Sequence, residues 1–425
     1  MLNQLNTKIM KKTMKGMLGV LLISMVMFSC KKEETPIPAA NFSADVTDVF
    51  TGAVVTFSDM STNTPTTWAW DFGDGGTSTV QNPTHTYTVA GVYTVSLTVT
   101  NGGGTNTATK SDYITVTVEQ TEAEKLVEYL EDPASPAANY ANTSMPAIRT
   151  ADVVRGLQLT QKVYIMDIRA ADDYNAAHID GAVNVGQKDV LTHLDGVDLS
   201  PYDEVAVVCY SGQSAAWATS LLRLAGYDNV YSMKFGMCSW NADFSGSWNN
   251  NIGNSRAAQF TATPTAKGPE GDLPSLSTGE DTPQEIAEAR INAILAEGFG
   301  EAAISHTTVY GNLSNYYIVN YWPEADYTGM QHIEGAMQYT PKVDIHSDEA
   351  LLTLPTDKTV VVYCYTGQTS ANMAAYLRVI GYDAVSLTFG ANGMIYDNMT
   401  KSKWNGALAP DGAVYDYPTV PTPTK

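Results

Sequence analysis

Two cysteines stand at matched positions in this 425-residue chain. Cys209 closes the apolar run Val205–Val208 and is followed by Tyr210, Ser211, Gly212, Gln213 and Ser214. Cys364 closes Val361–Tyr363 and is followed by Tyr365, Thr366, Gly367, Gln368 and Thr369. A helical pattern follows each loop. A sulfur at the carboxyl end of a buried strand lies where open α/β sheets place their sites. A small-residue loop entering a helix turns successive backbone N–H groups toward one point, a nest that favours an anion. The helix dipole adds to that field. Such a turn suits nucleophilic sulfur chemistry: a thiolate of lowered pKa, or a persulfide whose outer sulfur rests in the same cradle.

Positioning these sulfurs requires parallel strands alternating with helices. KVYIMDI and EVAVVCY are continuous apolar runs, as strands buried on both faces must be. AEKLVEYLED and SMPAIRTADVVRGL carry helical spacing. The pattern occurs twice. His178-Ile179-Asp180-Gly181-Ala182 answers to His332-Ile333-Glu334-Gly335-Ala336, and Asp173-Tyr174 to Asp326-Tyr327. Leu222 to Asp228 answers to Leu377 to Asp383. One α/β fold is therefore used twice.

The order YIMDIR, HIDGAVN, CYSGQSA, LAGYDNVYSMKFG resembles a rhodanese domain, and HIEGA, CYTGQTSA, IGYDAVSLTFG repeats it. The resemblance implies sulfurtransferases in which Cys209 and Cys364 take up sulfane sulfur as a persulfide and pass it to a thiol or cyanide. Residues 210–214 and 365–369 would form the cradles. Asp167 and Arg169 match a buried Asp-x-Arg pair that supports the loop. Asn320 and Trp322 stand at those places in the second block, which thus lacks the supporting ion pair. Neither loop contains the arginine that would hold an anionic donor by paired hydrogen bonds, so polysulfide or a protein persulfide competes with thiosulfate as donor. Ala215 and Ser370 occupy the arginine position of a Cys-x5-Arg oxyanion site, which counts against phosphatase and arsenate chemistry. Cys238, in KFGMCSW, is either a small buried thiol or a resolving thiol for Cys209.

Upstream, residues 41–118 read as short strands between Gly, Asn and Pro turns, a small antiparallel β-sandwich. Trp70-Asp71-Phe72-Gly73-Asp74-Gly75 followed by Pro83-Thr84-His85-Thr86-Tyr87 resembles the PKD-type immunoglobulin-like repeat. Trp70 and Phe72 would alternate into its core, and Asp71 and Asp74 would cap a tight turn, with calcium binding as the alternative role. Residues 1–29 carry four lysines and then a 12-residue apolar stretch, Met17–Phe28, too short for a stable span. Ser29-Cys30 at its end resembles a bacterial lipoprotein signal, which implies lipidation at Cys30. The predicted organisation is 1–29 signal, 30–40 tether, 41–118 sandwich, 121–256 first rhodanese-like domain, 257–282 linker, 283–409 second rhodanese-like domain and 410–425 flexible tail.

The net charge is −21, and losing the four lysines of residues 1–29 would take it to −25. Such a surface repels phosphate backbones and excludes nucleic acid as a partner. Beyond Cys30 three cysteines remain, too few for a disulfide scaffold and an odd number, so at least one thiol stays free. No Cys-x-x-Cys, His-Glu-x-x-His or post-strand Gly-x-Gly-x-x-Gly occurs, so neither metal nor cofactor is expected. Two functional readings stay open. One is a sulfurtransferase, lipid-anchored in the bacterial envelope at the outer membrane, working on small sulfur compounds or protein thiols. The other is a catalytically weak rhodanese-like scaffold that binds a cell-surface or protein partner, in part through the sandwich.

Overall fold

The computed structural model describes residues 34–406 and 416–422. Cys30 and the signal segment 1–29 lie outside the described residues. Two compact units divide the chain after Glu119.

In the first unit, strands Phe42–Ala44, Val54–Asp59 and Thr84–Thr86 form one sheet. Asp48–Phe50, Gly104–Thr117, Gly91–Asn101, Thr67–Asp71 and Thr77–Ser78 form the other. Alternation decides which residues enter: Val55 and Phe57 are buried while Val54 and Thr56 face out. Trp70 and Phe72 go inward as expected and join Phe42, Phe57, Tyr87 and Leu97 in the core. The sandwich is not wholly antiparallel, because Asp48–Phe50 pairs in parallel with Thr115–Thr117. Asp71 accepts the Gly73 N–H at 3.0 Å and Asp74 that of Gly76 at 2.9 Å, so both carboxylates satisfy turn donors.

The second unit holds two five-stranded parallel sheets of the same topology. The first is ordered Val183–Asn184, Val163–Asp167, Glu204–Val208, Val230–Met233, Ile148–Arg149. The second is ordered Met337–Gln338, Tyr316–Asn320, Thr359–Tyr363, Ala384–Leu387, Ala303–Ile304. Each cysteine follows the central strand. The helices after the loops, Gln213–Leu224 and Gln368–Val379, pack against each other rather than against solvent. Both helices carry buried small residues, among them Ala215, Ala216, Ala218, Ala371, Ala374 and Ala375, which permits close approach. One hydrophobic core, containing Trp217, Leu221, Tyr376 and Leu377, therefore serves both blocks. Tyr140 donates to the Asn372 side chain at 2.6 Å and Ser220 to its carbonyl at 2.9 Å across the same seam.

The connecting segments depart from the sequence expectation. The linker contributes Phe260–Thr261, which pairs antiparallel with Ile333 and His332 of the second block. The tail, expected to be loose, is tied down over 416–422: Thr419–Val420 pairs antiparallel with Ile179 and His178 of the first block. Trp240 donates its indole N–H to the Pro418 carbonyl at 3.1 Å. The chain closes on itself, its end giving the first block the strand that the linker gives the second. Proline-rich sequence alone reads as loop, and tertiary pairing overrides it. Among the described residues no helix is long and apolar enough to cross a membrane.

Candidate active site

Val205–Val208 is an apolar run buried along its length, so Cys209 emerges from the middle of the sheet. Gly212 then turns the chain at φ +84° into the helix beginning at Gln213. A Cβ at Gly212 would lie 2.7 Å from the Gln368 amide oxygen and 2.9 Å from the Phe235 nitrogen, so only glycine fits. The Cys209 sulfur accepts the N–H of Gly212 at 3.1 Å and of Ala215 at 3.4 Å; Gly212 lies in the expected cradle, and Ala215 one residue beyond it. The loop carbonyls are tied off elsewhere. Met237 N–H donates to the Cys209 oxygen at 2.8 Å, Cys238 N–H to that of Tyr210 at 3.2 Å and Trp248 Nε1 to that of Ser211 at 3.0 Å.

The second loop repeats this frame. Gly367 turns at φ +77°, Ala391 N–H donates to the Cys364 oxygen at 3.0 Å, and Asn392 N–H donates to that of Tyr365 at 3.1 Å. The Cys364 sulfur accepts from Ser370 N–H at 3.3 Å and lies 3.6 Å from the Ser370 hydroxyl, its own acceptor. That hydroxyl also hydrogen-bonds Ser386 at 2.8 Å.

One expectation is overturned. The Cys209 thiol has its pKa raised, not lowered, because burial disfavours the thiolate by more than the donors at Ser214, Ala215, Gly212 and Ser211 favour it. Cys209 is 4% exposed and Cys364 1%. Cys238 is buried as well, and its sulfur donates to the Phe244 carbonyl at 2.9 Å. Burial pushes its pKa up to about 12. All three cysteines are free thiols.

The supporting residues act through the loop tyrosines. Arg169 holds Asp167 from Nε and Nη2, the latter at 2.6 Å, and donates to the Ala177 carbonyl at 2.8 Å. Its guanidinium lies 5.2 Å from the ring centre of Tyr210, whose hydroxyl donates to Asp173 at 2.9 Å. In the second block Trp322 takes over: it stacks on Tyr365 at 5.0 Å with 11° between the rings. The Tyr365 hydroxyl hydrogen-bonds the Asp326 carboxylate, which pairs with Lys401 at 2.6 Å. The second loop thus lacks an equivalent of the Asp167–Arg169 pair but is held by the Trp322 ring and the Asp326–Lys401 pair instead. His178 and His332 make local bonds, each from Nδ1, to the Tyr174 and Tyr327 carbonyls.

Gln213 and Gln368, expected to line their own loops, also reach across the seam; Gln213 keeps a bond to its own loop, its Nε2 donating to the Ser211 hydroxyl at 3.1 Å. The Gln213 amide oxygen accepts the Phe389 N–H at 2.8 Å and the Gln368 amide oxygen accepts the Phe235 N–H at 2.9 Å. Trp248 and Trp404 stack at 5.8 Å beside these phenylalanines. The repeated Phe-Gly dipeptides, Phe235-Gly236 and Phe389-Gly390, were the available sequence signal for this seam. Lys401 and the tyrosine–aspartate pairs left none beyond the repeat.

A buried thiol at the end of a central parallel strand, framed by backbone donors and present twice, is the architecture of one class. The Rhodanese-like domain family model matches residues 150–243 and 309–393, and the PKD domain model residues 33–116. Thiosulfate sulfurtransferase GlpE of Shewanella oneidensis is 33% identical over 98 residues, covering 23% of this chain and 95% of that protein. GlpE of Pseudoalteromonas translucida is 31% identical over 101 residues, covering 23% and 94%. Among solved structures, the PKD1 domain of Vibrio anguillarum Epp is 38% identical over 20% of this chain and all of that one, with a TM-score of 0.18. The chain belongs to the rhodanese-like family and carries a PKD domain ahead of a tandem pair.

Proposed function

We propose that this chain is a sulfurtransferase that carries sulfane sulfur as a persulfide on Cys209 and on Cys364. The observation that carries the reading is the Cys209 sulfur receiving two backbone N–H groups while the neighbouring carbonyls are turned away. In the first half-reaction the deprotonated sulfur attacks the sulfane sulfur of the donor. A new S–S bond forms, the donor's S–S bond breaks, and sulfite or a shortened polysulfide leaves with the electron pair. An acceptor thiolate or cyanide then attacks the outer sulfur, and the cysteine leaves as thiolate, its charge received by the same N–H groups. Polysulfide suits loops without arginine better than thiosulfate does.

The lysines, apolar stretch and Ser29-Cys30 support anchoring in the bacterial envelope through lipid on Cys30, with the PKD domain as a spacer or a surface-binding module. Small sulfur compounds or protein thiols are the partners this reading requires. A binding role without turnover draws support from one observation, the raised pKa of the buried Cys209. Purified chain is offered thiosulfate, then polysulfide, with cyanide as acceptor, and intact mass is read for one added sulfur. Cys209→Ser and Cys364→Ser, made separately, assign the adduct. Absence of an adduct from either donor establishes the binding role instead. Cys30→Ser should move the protein from the membrane to the soluble fraction.

A further inference from the structure

We infer that each cysteine loop is positioned by the opposite block, through Gln368 for Cys209 and Gln213 for Cys364, so that the two sites are completed in trans within one chain. This rests on the reading of both cysteines as the reactive groups. Phe235 and Phe389 both occupy left-handed backbone, φ +61° and +59°, a strained conformation for a bulky residue. Each precedes a glycine packed against the cysteine loop, and each is followed by the N–H groups that hold the loop carbonyls. The turn that fixes the cradle is thus a strained one. Only part of what holds it is local: Gly236 N–H donates to the Met233 carbonyl at 3.0 Å, but the acceptor for Phe235 N–H is 133 residues away and that for Phe389 N–H is 176 residues away.

The side chains that reach across have little freedom to do otherwise. Gln213 and Gln368 are buried, and their amide oxygens lie against the loop glycines, 2.7 Å from a Cβ at Gly212 and 2.4 Å from one at Gly367. Aromatic rings reinforce the crossing. Phe235 packs edge-on against Trp404 of the second block at 5.1 Å, and Phe389 against Trp248 of the first at 5.0 Å. Trp248 in turn donates to the Ser211 carbonyl of the first loop. Gln213 and Gln368 are positioning residues, since neither side chain is hydrogen-bonded to a sulfur. They hold the turn behind the other block's loop, and through it the direction of the N–H groups that face the thiol.

Gln368→Met and Gln213→Met, in the full chain, remove the acceptor oxygen at nearly constant volume. Iodoacetamide labelling with peptide mass spectrometry reads each cysteine separately, over a series of pH values. Gln368→Met should slow Cys209 about fivefold at neutral pH and move its pH midpoint upward, with Cys364 changed less than about twofold. Gln213→Met should slow Cys364 likewise, with a smaller change at Cys209, whose loop loses the Gln213 bond to the Ser211 hydroxyl at 3.1 Å. Loss confined to the cysteine of the mutated block, equal loss at both, or no change at either overturns the inference. Should a variant fail to fold, hydrogen exchange on the unmutated chain decides: protected amides at Phe235 and Phe389 agree with it, and rapid exchange at either overturns it. Labelling needs no sulfur donor, so a chain that never forms a persulfide still reports the crossed pattern. Conversely, persulfide formation without that pattern removes this inference alone.

Discussion

Gly236 is the most sharply constrained position in the first site. Its backbone sits at φ +60°, ψ −149°, a region essentially closed to residues with a Cβ. A methyl there would meet the Cys209 oxygen at 2.3 Å, the Tyr210 oxygen at 2.6 Å and the Gly212 nitrogen at 2.7 Å, all main-chain atoms of the cysteine loop. Gly236→Ala therefore incurs about 1–3 kcal/mol for the backbone conformation and about 1–3 kcal/mol more for overpacking against atoms that cannot rotate away. Gly181→Ala separates the two, because Gly181 has φ +82° but open space around a Cβ, and should cost only about 1–2 kcal/mol. Urea denaturation of the tandem unit compares the variants, and iodoacetamide labelling of Cys209 shows whether the loop moves to relieve the clash. If it does, the Met237-to-Cys209 bond at 2.8 Å breaks and labelling at fixed pH changes. Gly236→Ala matching Gly181→Ala in stability, with labelling of Cys209 unaltered, would refute the claim that this glycine shapes the site.

Two further outcomes follow from the same geometry. Burial raises the Cys209 pKa, so its labelling rate should climb about tenfold per pH unit through and beyond the ordinary thiol range, while Cys238, at about 12, stays unlabelled; a Cys209 plateau near pH 7 contradicts this, and so does a Cys209–Cys238 disulfide in oxidised protein. Ending the chain at residue 406 removes the pairing of Thr419–Val420 with Ile179–His178 and the acceptor of the Trp240 indole. Hydrogen exchange should then rise around His178 and Trp240 and not around His332, and unchanged exchange at His178 would show the tail to be dispensable.

Much of this architecture is legible in the residues. Unbroken apolar runs such as EVAVV mark strands buried on both faces, and the paired loops betray a duplicated fold. Alternation in VVTFSD and TWAWD assigns the sandwich core. The pKa of Cys209 is a different matter. A converging-donor loop can be read from the sequence, but the desolvation that outweighs the donors depends on packing by both blocks, which no local pattern encodes. Trp322 illustrates the same limit. Read against Arg169 it looks like a lost charge, whereas in space it stacks beneath Tyr365 and replaces a cation with a ring. The tail fails for a simpler reason: proline and threonine carry no periodic signal, and two strand residues suffice to anchor it.

The interlock bears on why both blocks persist. Removing the second block would strip the face of Gln213–Leu224 that carries Trp217 and Leu221, and each large apolar side chain so exposed costs about 1.5–3 kcal/mol. It would also remove Gln368, the acceptor for Phe235 N–H. The first cysteine therefore depends on the second block whether or not Cys364 itself turns over. A chain with one idle cysteine would still have to keep Gln368, Trp404, the second helix and the tail, and mutations in that half should register at Cys209. Duplication here has made a single folding unit with two sulfur sites, not two modules on a string.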